Sequence, residues 1–161
     1  MKIRKPKFWD KKYITLFSAI LWPLSFFYQI VLSLKKSSTK IKKFPVPVIC
    51  VGNIYLGGTG KTPVAIKIFE IFKNEKRPVV IKKNYKNQKD EVELLKKYSK
   101  VIARKERFSS MEEAIKEKFN LLILDDGFQD FSIKKNLNII CFNTQQKIGN
   151  GQIIPSGPLR Q

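Results

Sequence analysis

A glycine-rich loop followed by lysine and threonine is the segment whose residue types point most directly to chemistry. It reads Gly57-Gly58-Thr59-Gly60-Lys61-Thr62. Glycines allow backbone N–H groups to turn toward phosphate oxygens, the lysine ammonium can reach the terminal phosphates, and the threonine hydroxyl can bind Mg²⁺. The strict pattern G-x-x-x-x-G-K-[ST] would need glycine where this chain has Tyr55. The arrangement nevertheless predicts a nucleoside triphosphate site at residues 57–62.

Two adjacent carboxylates form the second candidate group. Asp125 and Asp126 follow the apolar stretch 121–124, and the end of an apolar strand is where phosphate-loop proteins place the carboxylate that orients magnesium. Two neighbouring aspartates also repel each other unless a cation lies close to them. We therefore expect Thr62, Asp125 and Asp126 to be the metal ligands. The alternative is that Asp126-Gly127 forms only a turn.

Two other segments could contact a substrate. Because the chain contains no histidine, a general base must be a carboxylate, a lysine or water, and Asp90 is one candidate. Its alternative role is that of a helix N-cap. The segment from Asn150 to Arg160 ends in a guanidinium that suits an anionic group, although it could equally be an ordinary surface loop.

The elements that must position these residues alternate along the chain. Apolar runs predict strands at 47–51, 78–81, 101–103, 121–124 and 137–142. Helical spacing predicts helices at 63–72 and 90–98, the second with Val92, Leu94 and Leu95 facing inward, and the capping box Ser110–Glu113 predicts the start of another. Residues 82–89 are interpreted as a basic loop, and Cys50 and Cys141 as small core residues. The prediction is an α/β fold, a phosphate-loop type of parallel sheet with helices on both faces.

Residues 1–43 differ in character from residues 44–161, which we assign to the nucleotide-binding domain. Residues 13–34 carry no charge, and eleven of the 32 Lys and Arg residues flank this run. It is long enough to cross a bilayer, but the basic residues on both sides favour a helix that lies on the cytoplasmic leaflet. Pro23 should kink the helix, and residues 37–40 are expected to form a linker. The alternative is a helix buried on the domain's own sheet.

The formal net charge of +19 does not by itself indicate a nucleic-acid partner. Only five of the basic residues are arginine, the side chain that nucleic-acid readers favour. No DNA- or RNA-binding motif is present, so we expect no nucleic acid.

Taken together, the motifs resemble tetraacyldisaccharide 4′-kinase, the lipid A kinase of Gram-negative bacteria. The resemblance is carried by the run from Pro47 to Ile54, the loop through Pro63, Asp90-Glu91, Asp125 to Gln129, and the segment from Asn150 to Arg160. It implies a phosphate-loop kinase, monotopic on the cytoplasmic face of the inner membrane, that uses ATP and Mg²⁺ to phosphorylate a disaccharide lipid A precursor.

The resemblance also implies roles for individual residues. Lys61 and Thr62 would hold the triphosphate and Mg²⁺, Asp125 and Asp126 would organise the metal, and Asp90 would be the base for the sugar hydroxyl. Glu91, Asn150 and Arg160 would contact the substrate.

The chain departs from the family pattern at Lys83-Asn84-Tyr85-Lys86 and at Asp130. The family has a further C-terminal half that this sequence does not contain. Three explanations therefore stay open: a gene fragment, a split enzyme with a separate C-terminal half as its partner, and a degenerate copy. The alternatives are an inactive, membrane-tethered ATP-binding module and another phosphate-loop NTPase. A GTPase would need Asn-Lys-x-Asp, and Asn87-Gln88-Lys89-Asp90 has a different order.

Overall fold

The structure, a computed structural model, describes residues 5–55, 59–85, 89–144 and 147–160. The chain divides into two compact units. The first, called the sheet unit, comprises Ile41–Gly52 and Gly60–Cys141; the second, called the terminal unit, comprises Met1–Lys40, Asn53–Thr59 and Phe142–Gln161.

All five predicted strands are confirmed in the sheet unit, and their bounds are β1 Val48–Gly52, β2 Pro78–Lys83, β3 Val101–Arg104, β4 Leu121–Asp125 and β5 Leu137–Ile140. They form an entirely parallel sheet in the order β3-β2-β4-β1-β5. The last ends two residues earlier than expected. Its side chains are also largely exposed, because β5 lies at one edge of this sheet.

Three helices cover the sheet: α2 Lys61–Phe72, α3 Lys89–Tyr98 and α4 Arg107–Lys116. Alternate residues of each strand point to opposite faces, so Ile123 packs with Ala65 of α2 and Leu95 of α3, whereas Leu122 packs with Met111 of α4. Both faces of the sheet are therefore covered by helices, as the continuous apolar strands predicted. Cys50 and Cys141 are both buried core residues, also as expected.

Three local predictions are corrected. Helix α4 begins at Arg107 rather than after a capping box, and the backbone N–H of Ser110 already donates to the carbonyl of Glu106. Leu94 is exposed, because the inward face of α3 is centred on the fully buried Leu95. Asp90 lies inside the first turn of α3 instead of preceding it, where its charge is still favourable beside the positive end of the helix dipole.

The terminal unit contains a short 3₁₀ helix, Lys7–Asp10, and the long helix α1, Leu16–Ser38. Helix α1 starts where the Thr15 hydroxyl accepts a hydrogen bond from the N–H of Ser18. It continues through Pro23 and includes Ser37 and Ser38, so half of the predicted linker is helical.

Two serines seven residues apart attach one side of α1 to the C-terminal segment of the same unit. The Ser18 hydroxyl donates to the carbonyl of Ser156 at 2.9 Å, and the Ser25 hydroxyl donates to the carbonyl of Ile153 at 2.8 Å. The large apolar side chains of α1 are exposed, with Leu16 at 77% and Phe27 at 64%. By length and composition, α1 could cross a membrane.

The strand order predicts that replacing a leucine in the central strand destabilises the protein more than replacing one in the edge strand. Leu122 in the central strand β4 is fully buried, whereas Leu137 in the edge strand β5 is half exposed. We expect Leu122→Ala to lower the free energy of unfolding by about 2–5 kcal/mol and the matched control Leu137→Ala to lower it by less than about 1 kcal/mol. Urea unfolding measures both, and equal losses would contradict the observed strand order.

Candidate functional site

The amino end of α2 directly follows the glycine loop and presents backbone N–H groups. Gly60 is the N-cap residue and has a left-handed backbone, φ +71°, which glycine adopts without strain. Lys61, Thr62 and Pro63 form the first turn of α2. Pro63 has no backbone N–H group, so it needs no hydrogen-bond partner at this helix end. Free N–H groups and the helix dipole together make such a helix end suitable for phosphate.

The carboxylate of Asp125 lies at the centre of the site. Asp125 is completely buried at the carboxyl end of β4, where its Cα is in register with Val51 of β1 on one side and with Lys82 of β2 on the other. Its Oδ2 accepts a hydrogen bond from the Thr62 hydroxyl at 3.2 Å and another from the Lys82 ammonium at 2.6 Å. Asp125 therefore joins the first turn of α2 to strands β2 and β4.

Lys82 is a site residue that the sequence did not predict. It was interpreted as the start of a basic loop, but it belongs to β2 and only 2% of its surface is exposed. Its ammonium also donates to Glu91 Oε2 at 2.6 Å. Burial alone would lower the pKa of Lys82, but the two carboxylates, Asp125 above all, outweigh that effect and raise the pKa above its usual value. Lys82 is thus a buried cation between two acids.

The two-residue period of the strands explains why these groups meet. Val80 and Ile123 point to the sheet face that carries α2 and α3, and Lys82 and Asp125 each follow two residues later on the same face. The sequence did contain a signal for Lys82. It lies two residues after Val80, so in a strand its side chain points to the same face as that buried valine. It was missed because the strand was expected to end at Ile81.

Lys61 lies beside the second aspartate. Its ammonium is 3.7 Å from Asp126 Oδ1, so a bound anion would compete with Asp126 for this cation. Asp126 has a left-handed backbone, φ +59°, and its N–H donates to the carbonyl of Val51 at 2.9 Å. Asp126 therefore does form the turn that was considered for it, and its carboxylate still faces the site.

Arg107 and Asp130 support this turn from the other side. The guanidinium of Arg107 donates to the carbonyl of Asp126 at 2.9 Å and to the Asp130 carboxylate at 3.2 Å. Burial alone would raise the pKa of Asp130, but hydrogen bonds from Ser132 and the positive charge of Arg107 lower the pKa overall. Asp130, one of the departures from the family pattern, thus acts as an ionised partner of Arg107.

The residues present fit a magnesium ion. Asp125 Oδ1 is buried and has no hydrogen-bond donor in the described part of the chain, which leaves one carboxylate oxygen available to a cation. Mg²⁺ prefers oxygen ligands and commonly takes one or two carboxylates together with phosphates. The described residues contain no cluster of three or more Asp, Glu, His or Cys that could hold a metal alone. Thr62, Asp125 and Asp126 would therefore need phosphate oxygens to complete the coordination.

Gly57, Gly58, Thr59 and Asp90 are the remaining residues predicted for the nucleotide and catalytic roles. Gly57 and Gly58 lie outside the described residues, and the hydroxyl of Thr59 is buried without a partner among those described. Asp90 is exposed in the first turn of α3, next to Glu91. The catalytic role of Asp90 and the phosphate-binding role of the glycines stay predictions.

The terminal unit contains Asn150, Arg160 and Tyr55. The buried Asn150 amide donates to the Ser18 hydroxyl at 2.8 Å and to the carbonyl of Ser156 at 3.0 Å, contacts that attach the C-terminal segment to α1. The N–H of Arg160 donates to the carbonyl of Ile54 at 2.7 Å. Tyr55 is fully buried and pairs with Leu159, so it serves as a core residue here. The substrate roles of Asn150 and Arg160 stay predictions.

Comparison with known proteins agrees with this geometry. Residues 17–100 and 86–161 match the family described as LpxK: Tetraacyldisaccharide-1-P 4'-kinase. A tetraacyldisaccharide 4'-kinase from Pelagibacter ubique is 49% identical over the whole chain, and one from Rickettsia canadensis is 34% identical, also over the whole chain. The matched regions are 51% and 54% of those two proteins.

A solved structure has the same fold. The crystal structure of LpxK from Aquifex aeolicus in complex with ATP superposes with a TM-score of 0.75 at 28% identity, and the match covers 91% of this chain and 55% of that one. The chain thus spans about half the length of the relatives it matches. It belongs to the tetraacyldisaccharide 4′-kinase family.

Proposed function

We propose that this chain is the nucleotide-binding half of an ATP-dependent kinase that phosphorylates the 4′-hydroxyl of a tetraacyldisaccharide 1-phosphate, a lipid A precursor. The observation that carries the proposal is the contact between Thr62 and the buried Asp125 at the amino end of α2, with Lys61 beside them. This grouping of a hydroxyl, a carboxylate and an ammonium supports a site for a triphosphate and its metal.

Lys61 and the N–H groups of the first turn of α2 would bind the phosphates. The ammonium would leave Asp126 for the terminal phosphate, whose charge is larger. The relative from Aquifex aeolicus was crystallised in complex with ATP, which supports ATP as the nucleotide.

Thr62, Asp125 and Asp126 would hold Mg²⁺, which when bound supplies positive charge against the phosphate oxygens. Asp125 contributes its unpartnered oxygen. Its other oxygen is held by Lys82 and Thr62, so the carboxylate cannot rotate freely.

Asp90 would accept the proton of the sugar hydroxyl as that oxygen attacks the terminal phosphorus. Its exposure in the first turn of α3 leaves the carboxylate open to an acceptor. Glu91, Asn150 and Arg160 are proposed to contact the lipid substrate. A separate C-terminal half would complete the part of the site that binds the acceptor lipid.

Helix α1 would anchor the protein on the cytoplasmic face of the inner membrane. The Ser25 hydroxyl, near the middle of the helix, bonds the carbonyl of Ile153 and accepts from the N–H of Ser156 at 2.9 Å. Irregular backbone exposed to lipid would leave polar groups unsatisfied inside a bilayer. These contacts favour a helix that lies in the interface over one that crosses, with residues 1–43 as the anchoring segment.

Replacing Lys61 tests the nucleotide site. Lys61→Met removes the ammonium while keeping a long apolar side chain, and loss of one charged contact should weaken Mg·ATP binding about 10- to 100-fold. Lys67→Met on the exposed face of the same helix is the matched control. Titration calorimetry with ATP and GTP measures both variants. Unchanged affinity in Lys61→Met, or a preference for GTP, would refute the assignment.

Replacing Asp90 tests the catalytic role. Asp90→Asn removes the base and should slow phosphoryl transfer to the lipid about 10²- to 10⁴-fold, while ATP affinity stays the same. The assay follows labelled phosphate on a tetraacyldisaccharide 1-phosphate, with the chain alone and with a C-terminal half of a relative added. A wild-type chain that binds ATP but transfers no phosphate in either assay would instead identify an inactive ATP-binding module.

Replacing an exposed aromatic residue tests the membrane role. Phe27 is 64% exposed on α1, and Phe27→Ser should weaken binding to anionic vesicles about tenfold or more, because a buried phenylalanine contributes about 1.5–3 kcal/mol. Ile71→Ser, at an exposed position on α2, is the control and should bind like the wild type. Vesicle co-sedimentation measures the difference, and equal binding of the two variants would exclude α1 as the anchor.

A further inference from the structure

Lys82 connects two parts of the site that have different proposed tasks. Its ammonium lies 2.6 Å from Asp125 Oδ2 and 2.6 Å from Glu91 Oε2. Asp125 belongs to the metal and phosphate side of the site, whereas Glu91 directly follows Asp90 in the first turn of α3. One buried cation therefore bridges the two sides.

We propose that Lys82 is a positioning residue that holds the first turn of α3, and with it Asp90, at a fixed place relative to Asp125. The inference rests on the proposed function, in which Asp90 acts on the acceptor and Asp125 on the metal. Lys82 itself touches neither substrate nor nucleotide in this assignment.

The local contacts of α3 explain why its first turn needs the ion pair between Glu91 and Lys82. Leu95 is fully buried and attaches the second half of the helix to the sheet. The first turn has no comparable apolar anchor: Asp90 and Glu91 are exposed, and Val92 is only half-buried. The ion pair with Lys82 is charge-assisted and its ammonium is buried, so it is stronger than an ordinary surface pair.

The position of Lys82 determines which partner of this ion pair can move. Lys82 is held by the β2 backbone, in register with Asp125 across a parallel pair of strands. Its side chain is enclosed, so the ammonium cannot follow Glu91 if α3 moves away. Losing the pair should therefore loosen α3 locally and leave the strands unaffected.

Hydrogen–deuterium exchange on Glu91→Gln tests the proposal. Glu91 is half exposed, so the variant should fold, and the amides of residues 93–95, which bond to carbonyls of the first turn, should exchange about tenfold faster. Amides of β4 should exchange at the wild-type rate, whereas a merely structural role would speed exchange throughout the sheet. Glu93→Gln on the same helix is the matched control and should not change exchange. Lys82→Met removes the same ion pair, so residues 93–95 should exchange faster in this variant too, but because it also leaves the buried Asp125 without its cation, exchange in β2 and β4 should rise as well.

Equal exchange of residues 93–95 in Glu91→Gln and wild type would overturn the proposal, and so would faster exchange spread evenly over the strands. Mg·ATP titration on the same samples separates this result from the proposed function. A wild-type chain that binds no nucleotide refutes the kinase assignment. A wild-type chain that binds nucleotide, with α3 unaltered in the variant, refutes only the positioning role.

Discussion

The buried carboxylate of Asp125 is the constraint on which the rest of the site depends. A charged group with no access to water is strongly unfavourable unless it is paired and hydrogen-bonded. Here the Lys82 ammonium and the Thr62 hydroxyl both satisfy the same oxygen. Because each donor comes from a different element, stabilising this one charge also fixes β2, β4 and the start of α2 relative to one another.

The strand order makes this arrangement possible. Strand β4 lies between β1 and β2, and in a parallel sheet all carboxyl ends meet at one edge. Asp125 at this edge is therefore within reach of Thr62 at the start of α2 and of Lys82 at the end of β2. The opposite charge of Glu91 then links α3 to the same point. The site is therefore a consequence of topology together with three charged side chains, and the unpartnered oxygen of Asp125 is where we propose that the metal ion binds.

Much of this could be predicted from the sequence. The apolar runs located every strand to within two residues. The motif that ends in Lys61-Thr62 and the pair Asp125-Asp126 identified the edge of the sheet at which Thr62 contacts Asp125. Lys82 was missed because a lysine next to other lysines has the composition of a loop. Its pairing with Asp125 and Glu91, which stabilises it inside a strand, could not be read from its neighbours in the sequence. The buried contacts of Asn150 could not be predicted either, since they depend on Ser18, more than a hundred residues away in the sequence.

A crystal structure of the chain with an ATP analogue and Mn²⁺ in place of Mg²⁺ tests the central claim most directly, because anomalous scattering locates manganese without ambiguity. We expect the manganese peak within coordination distance of Asp125 Oδ1 and the Thr62 hydroxyl, with the terminal phosphate against Lys61. Manganese and triphosphate bound elsewhere, with Asp125 Oδ1 still lacking a partner, would contradict it.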